Sequence, residues 1–191
     1  NLCSLKEAVL WALELFTTHK LENIKLKDFK KRVVIGSWNA IVTWGIMFAK
    51  DDVIIANENT FIDAIKKPWV DGVTILSASW SKQATIMAKK ILETTNLEIE
   101  LLTCNTNCTT KELIWEGNVI VTPKNPEPYT YNTSTYMWWL LAQSWENPKE
   151  IYDYLLNYIE PKLKNFDFSK YNWYVFSLPK KFNYHSKLID T

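Results

Sequence analysis

Short runs of β-branched and aliphatic residues recur along this chain about every twenty positions: Val33-Val34-Ile35, Val53-Ile54-Ile55-Ala56, Val73-Thr74-Ile75-Leu76, Ile99-Glu100-Leu101-Leu102 and Val119-Ile120-Val121. Each run is too short for a buried helix and too evenly apolar for a strand with one wet face, so each reads as a strand covered on both sides. The segments between them, at about 39–49, 60–67, 81–95 and 109–116, carry apolar residues at helical spacing. Strands that alternate with helices predict a parallel sheet joined by right-handed crossovers. The pattern therefore predicts an α/β domain with a doubly wound, five-stranded parallel sheet and helices on both faces.

The flanks read differently. Ser4-Leu5-Lys6-Glu7 is a capping-box pattern in front of Leu5, Ala8, Val9, Ala12, Leu13, Leu15 and Phe16, which predicts an amphipathic helix over 5–16. A charged connector runs from Lys20 to Lys31. After the fifth strand, Pro123, Pro126 and Pro128 exclude helix and central strand and predict a rigid loop. Helices are expected at about 132–145 and 148–160, the second opened by Pro148. Tyr174 to Leu178 reads as another strand with no helix after it. The expected organisation is an N-terminal helix and connector over 1–30, a binding domain over 31–162, and over 163–191 a linker with the start of a truncated second domain.

Composition narrows the function. With 22 Lys and Arg against 21 Asp and Glu, interspersed, the chain has no basic stripe for a nucleic acid, and phosphate affinity has to be local. No apolar stretch approaches the roughly 20 residues that cross a bilayer, and Lys6, Glu7 and Glu14 argue against a secretory signal. We therefore expect a cytoplasmic protein with no membrane partner. Cys3, Cys104 and Cys108 cannot all pair and lack CxxC spacing, so they read as reduced thiols; no metal site is expected, with His19 and His185 remote from them in sequence. The helices at 5–16 and 135–158 carry Tyr136, Trp138, Trp139, Tyr152, Tyr154 and Tyr158, more aromatic surface than a small domain readily covers, which predicts an interface.

One imbalance changes the picture of the loops. The chain has ten Trp and four Gly, against an average of about 7% glycine, or roughly 13 in this length. Several tryptophans stand at turn-like positions, as in Gly36-Ser37-Trp38-Asn39 and Ser79-Trp80-Ser81. An indole supplies neither positive φ nor close backbone approach. A gene from a lineage that reads UGA as glycine, translated under a code that reads it as tryptophan, accounts for both counts. A chain that simply uses tryptophan for packing is the alternative.

In open α/β sheets, ligands bind beyond the carboxyl ends of the strands. Three of these ends are rich in hydroxyls: Ser37 and Asn39; Ser77, Ser79, Ser81 and Lys82; and Thr133, Ser134 and Thr135. Hydroxyls and amides at helix starts bind phosphate without net positive charge, although the same residues also serve as N-caps.

With glycine read at 38, 44 and 80, the chain contains GSGN, TGG and SASGSK, and over about residues 30–145 it closely resembles the sugar isomerase (SIS) domain, a phosphosugar-binding module with a flavodoxin-like three-layer sandwich. Ile35 to Asn39 resembles the family's first loop and Ala56-Asn57-Glu58 its second strand end. Leu76 to Ser81 resembles its Ser-x-Ser-Gly phosphate loop, Leu102 to Asn105 its fourth strand, and Glu127 with Thr133-Ser134-Thr135 its last loop and helix start. The chain departs from that pattern at the tryptophans themselves.

The resemblance implies a sugar phosphate as ligand, held by Ser37, Ser77, Ser79, Ser81 and Lys82, and a homodimer or a pairing with a second SIS domain. It also implies an aldose–ketose isomerase similar to two-domain phosphoglucose and phosphomannose isomerases, with no cofactor; a non-catalytic sugar-phosphate sensor is the alternative. Such a reaction needs a base that moves a proton between adjacent carbons. Glu127 is the first candidate, Glu58 the second, and His185 a candidate for ring opening.

Overall fold

A computed structural model describes residues 5–18, 24–37, 39–49, 51–78, 82–123, 133–144, 146–170 and 172. The apolar runs form strands β1 (Arg32–Ile35), β2 (Ile54–Ala56), β3 (Gly72–Ser77), β4 (Glu98–Thr103) and β5 (Val119–Val121). All pairings are parallel, in the order β2-β1-β3-β4-β5. β1 and β3 are buried along their whole length because neighbouring strands cover both edges and helices cover both faces.

The two-residue alternation divides the core. Val33, Ile35, Val73, Ile75, Ile99 and Leu101 face α3 (Phe61–Ile65) and α4 (Lys82–Thr94), packing on Phe61, Ile65, Met87 and Ile91. Val34, Leu76 and Leu102 face α2 (Asn39–Met47) and α5 (Thr133–Ser144), packing on Trp44, Trp138 and Trp139. Burial of each such large side chain stabilises the fold by about 1.5–3 kcal/mol. α1 (Leu5–Thr18) lies on α5 and on α6 (Pro148–Tyr154), through Ala8, Ala12 and Leu13. The predicted doubly wound α/β sheet is the observed one.

Two expectations need correction. The segment expected as a helix over 109–116 is instead a pair of single 3-10 turns, Thr109–Glu112 and Glu116–Asn118. Its entry at Cys108 is extended (φ −67°, ψ 120°), and the Thr85 hydroxyl meets those of Thr110 and Thr109 at 2.9 and 3.1 Å, so the turn is tied to α4 rather than propagated. A short segment opened by two β-branched threonines lacks the length to hold a helix by itself. The helix from Pro148 also runs past 160: five π-helical residues, Leu155–Ile159, join α6 to α7 (Glu160–Lys164).

Buried polarity sits at the amino end of the sheet. Arg32 Nη1 donates to Thr74 Oγ1 (2.5 Å) and to Glu100 Oε2 (3.1 Å), and the Thr74 hydroxyl donates to the same carboxylate oxygen (2.9 Å). The Lys27 amide donates to Glu100 Oε1 (2.7 Å), and Arg32 returns a bond to the Lys27 carbonyl. The guanidinium also stacks against Phe29 and Phe48 at 5.1 and 5.2 Å. The connector after α1 is thereby pinned across three strands. Among the described residues no helix is long and apolar enough to cross a membrane.

Candidate functional site

β1 is followed by a crossover toward β2 on one side, and β3 leads away on the other, so the strand order reverses between β1 and β3. That reversal opens a crevice at the carboxyl ends of these strands, where open α/β sheets bind ligands. Ser37 and Ser77 stand at its two walls.

Gly36 follows β1, and its amide donates to the Ala56 carbonyl (3.3 Å) while Ala40 closes the first turn of α2 on the Ser37 carbonyl (3.0 Å). A Cβ at position 36 would lie 2.7 Å from that of Ala40. Only glycine lets α2 start this close to the strand. Ser37 is half-buried beside the helix start. Ser77 ends β3 and is buried; by the strand alternation it shares the α3/α4 side with Val73 and Ile75. Lys82 is exposed at the first residue of α4.

α2 and α4 start at these two loops, and α5 follows the adjoining end of β5. Their unpaired amides and the positive ends of their dipoles favour an anion there.

Asn39 opens α2, and Thr133 and Ser134 open α5; their backbones are helical. Thr135, on the first turn of α5, is fully buried, and its hydroxyl has no hydrogen-bonding partner. Glu58 is exposed in the turn after the edge strand β2, one strand removed from the crevice. The Asn57 side chain organises that turn, accepting from the amides of Asn59 (2.9 Å) and Thr60 (3.1 Å). Ser79, Ser81, Glu127 and His185, with Trp38 and Trp80, lie outside the described residues.

The structure adds residues that the sequence reading did not single out. The Cys104 amide donates to the Ala78 carbonyl (3.3 Å) and the thiol donates to the same oxygen, so the end of β4 holds the first residue of the loop after β3. Tyr136 packs with that group. Burial, and then the nearness of Cys104, push its phenol up to about 12. Thr122 accepts the indole N–H of Trp139 (2.7 Å), which fixes α5 over the end of β5. Cys104 and Thr122 share the one signal that marked Ser37 and Ser77, a position at the end of a predicted strand.

No family model and no curated protein matches the sequence. Solved structures do. A candidate phosphosugar isomerase from Silicibacter pomeroyi DSS-3 superposes with a TM-score of 0.54 at 10% identity, over 83% of this chain and 55% of its own. The chain has the phosphosugar isomerase fold. A candidate sugar-binding protein from Salmonella typhimurium LT2 shares this fold (TM-score 0.52, 11% identity, 82% of this chain and 56% of that one). So does an Escherichia coli CFT073 protein in complex with a sugar phosphate (0.50, 11%, 86% and 89%). The chain thus spans about half the length of the first two proteins and most of the third. What the phosphosugar isomerase fold positions here is a reversal crevice walled by Ser37 and Ser77 under two helix starts.

Proposed function

We propose that this protein binds a sugar phosphate at the carboxyl edge of its sheet, as the binding domain of an aldose–ketose sugar-phosphate isomerase. The observation that carries the reading is the crevice between β1 and β3, with Ser37 and Ser77 at its walls and the starts of α2 and α4 beside it. A phosphate there gains hydroxyl and amide donors together with two helix dipoles, without any excess of Lys and Arg. The E. coli protein of this fold, in complex with a sugar phosphate, supports that ligand class. Ser79, Ser81, Lys82 and Asn39 complete the phosphate side, and Thr133, Ser134 and Thr135 the sugar side.

Isomerisation needs a base at the carbon adjacent to the carbonyl and a group that moves the oxygen proton. Glu127 takes the first role in this reading, with Glu58 as second candidate, and His185 assists ring opening. No cofactor enters this chemistry. The binding unit is residues 31–162, with 1–30 packed onto it and 163–191 leading to a second unit. The protein acts in the cytoplasm, as a homodimer or joined to a second domain of the same kind.

Titration calorimetry with aldose and ketose phosphates, the free sugars and inorganic phosphate tests the proposal. Binding of the sugar phosphates that weakens about tenfold in Ser77→Ala, a loss of about 1.4 kcal/mol, is the expected result. Heats identical for sugar phosphate and free sugar would overturn it. A second reading, a non-catalytic sensor, is favoured by the Salmonella sugar-binding protein of the same fold. Tight binding with no interconversion of aldose and ketose phosphates by the full-length protein would select it.

A further inference from the structure

We propose that the outer face of the helix formed by Pro148–Lys164, with the Trp11 edge of α1, is where a second copy of this chain docks. The helix is too apolar for the single neighbour it has. Ile151, Tyr152, Leu155, Leu156 and Ile159 are all only partly buried, and Tyr154, Tyr158 and Leu163 stand exposed by half or more. After Pro148 none of its residues is fully buried. At about 100° per residue these apolar side chains span roughly 200° of the helix surface, twice the stripe that a helix resting on one core presents. α1 covers one part of that arc. Tyr154 and Tyr158 occupy the rest, stacked on each other at 5.0 Å and 25°. Trp11 (38% exposed) and Phe166 (46%) extend the face.

Charge decides what fits it. Glu160 is bonded to both Lys6 (2.6 Å) and Lys164 (2.9 Å), and Lys149 to Asp153 (2.5 Å), so the ions around the face are matched within the chain itself. Lys162 lies over the Tyr158 ring at 3.8 Å and adds its methylenes to the apolar surface. A strongly acidic or basic partner would gain little here. A neutral aromatic face finds its complement in an identical face across a two-fold axis. Five aromatic or aliphatic side chains about half exposed supply on the order of 100 Å² each. That is roughly 500 Å² per copy, the apolar centre of an interface of about 800 Å² per partner. The inference gives the homodimer a surface, and it stands whether or not the crevice binds a sugar phosphate.

Sedimentation equilibrium of the full chain and of Tyr154→Glu/Tyr158→Glu, from low to high micromolar, tests it, with circular dichroism confirming that both fold. The expected result is a dimer whose dissociation constant rises at least about a hundredfold in the variant. Trp115→Glu, at a side chain 74% exposed elsewhere in the fold, should leave the dimer unchanged. As a reading independent of affinity, Tyr158→Cys should give a covalent dimer under oxidation. A monomer at high micromolar concentration overturns the proposal, as does a dimer indifferent to Tyr154→Glu/Tyr158→Glu.

Discussion

Trp44 is fully buried, donates its indole N–H to the Ile35 carbonyl (3.3 Å) and tilts against Phe48 with ring centroids 5.1 Å apart. Trp139 is equally buried. Both fill the layer between the sheet and α2 or α5, so Trp44→Gly should lose at least about 3–5 kcal/mol and lower the melting temperature measured by calorimetry. The turn positions 38 and 80 have the opposite expectation. Trp38→Gly/Trp80→Gly should raise the melting temperature and create or tighten sugar-phosphate binding, because glycine relieves about 1–3 kcal/mol of strain wherever a loop needs positive φ. A double variant that is less stable and still blind to sugar phosphates would mark those tryptophans as packing residues. Tyr136 carries a third test. Its phenol is pushed up to about 12 by burial and Cys104, against about 10 in an unfolded chain. The folded protein therefore keeps its proton where the unfolded chain loses it, and this contribution, full below pH about 10, is lost as pH rises toward 12. An absorbance titration should show one tyrosine ionising near 12, and Tyr136→Phe should abolish that step. The tryptophan and glycine counts were visible in the sequence, but which indoles are core was not, since burial of Trp44 depends on where α5 returns over the sheet.

Glu100 interrupts an otherwise apolar run in β4, and the structure explains it by the Arg32 and Thr74 partners on the adjoining strands. Glu100→Ala should cost about 3–5 kcal/mol, because it leaves the Arg32 charge buried without its carboxylate; chemical denaturation would measure it. Replacing both, as Arg32→Met/Glu100→Leu, should cost far less. The strands themselves were legible to within a residue or two, since four or five consecutive β-branched or aliphatic residues between helices have few other uses. The segment 109–116 was not, because single 3-10 turns leave no periodicity of their own and are held here by the Thr85 contacts. The crevice walls Ser37 and Ser77 were legible as strand ends. Cys104 and Thr122 share that position, but their partners Ala78 and Trp139 are 26 and 17 residues away in sequence, which spacing cannot reveal. Of the aromatics expected at an interface, Trp138 and Trp139 belong to the core, whereas Tyr154 and Tyr158 are exposed.

The whole molecule couples its ligand to its stability. A sugar phosphate at about 100 times its dissociation constant adds roughly 2.7 kcal/mol to the folded state. For a chain of this size that corresponds to a rise of about 5–10 °C in melting temperature, and a thermal-shift series over ligand concentration would follow it. The amino end of the sheet has a different consequence. Arg32, Thr74 and Glu100 come from three strands, with β1 matched to β3 at Arg32↔Gly72 and β3 to β4 at Thr74↔Glu100. Sliding any one strand by a single position would turn its polar member toward the opposite core, and sliding it by two would separate the ions. Apolar side chains tolerate either error at modest cost; a buried guanidinium does not. The trio therefore works as a check on alignment, completed only when three parallel strands and the connector at Lys27 have all arrived in register, and it makes the misaligned sheets that five similar apolar runs could otherwise form the costly ones.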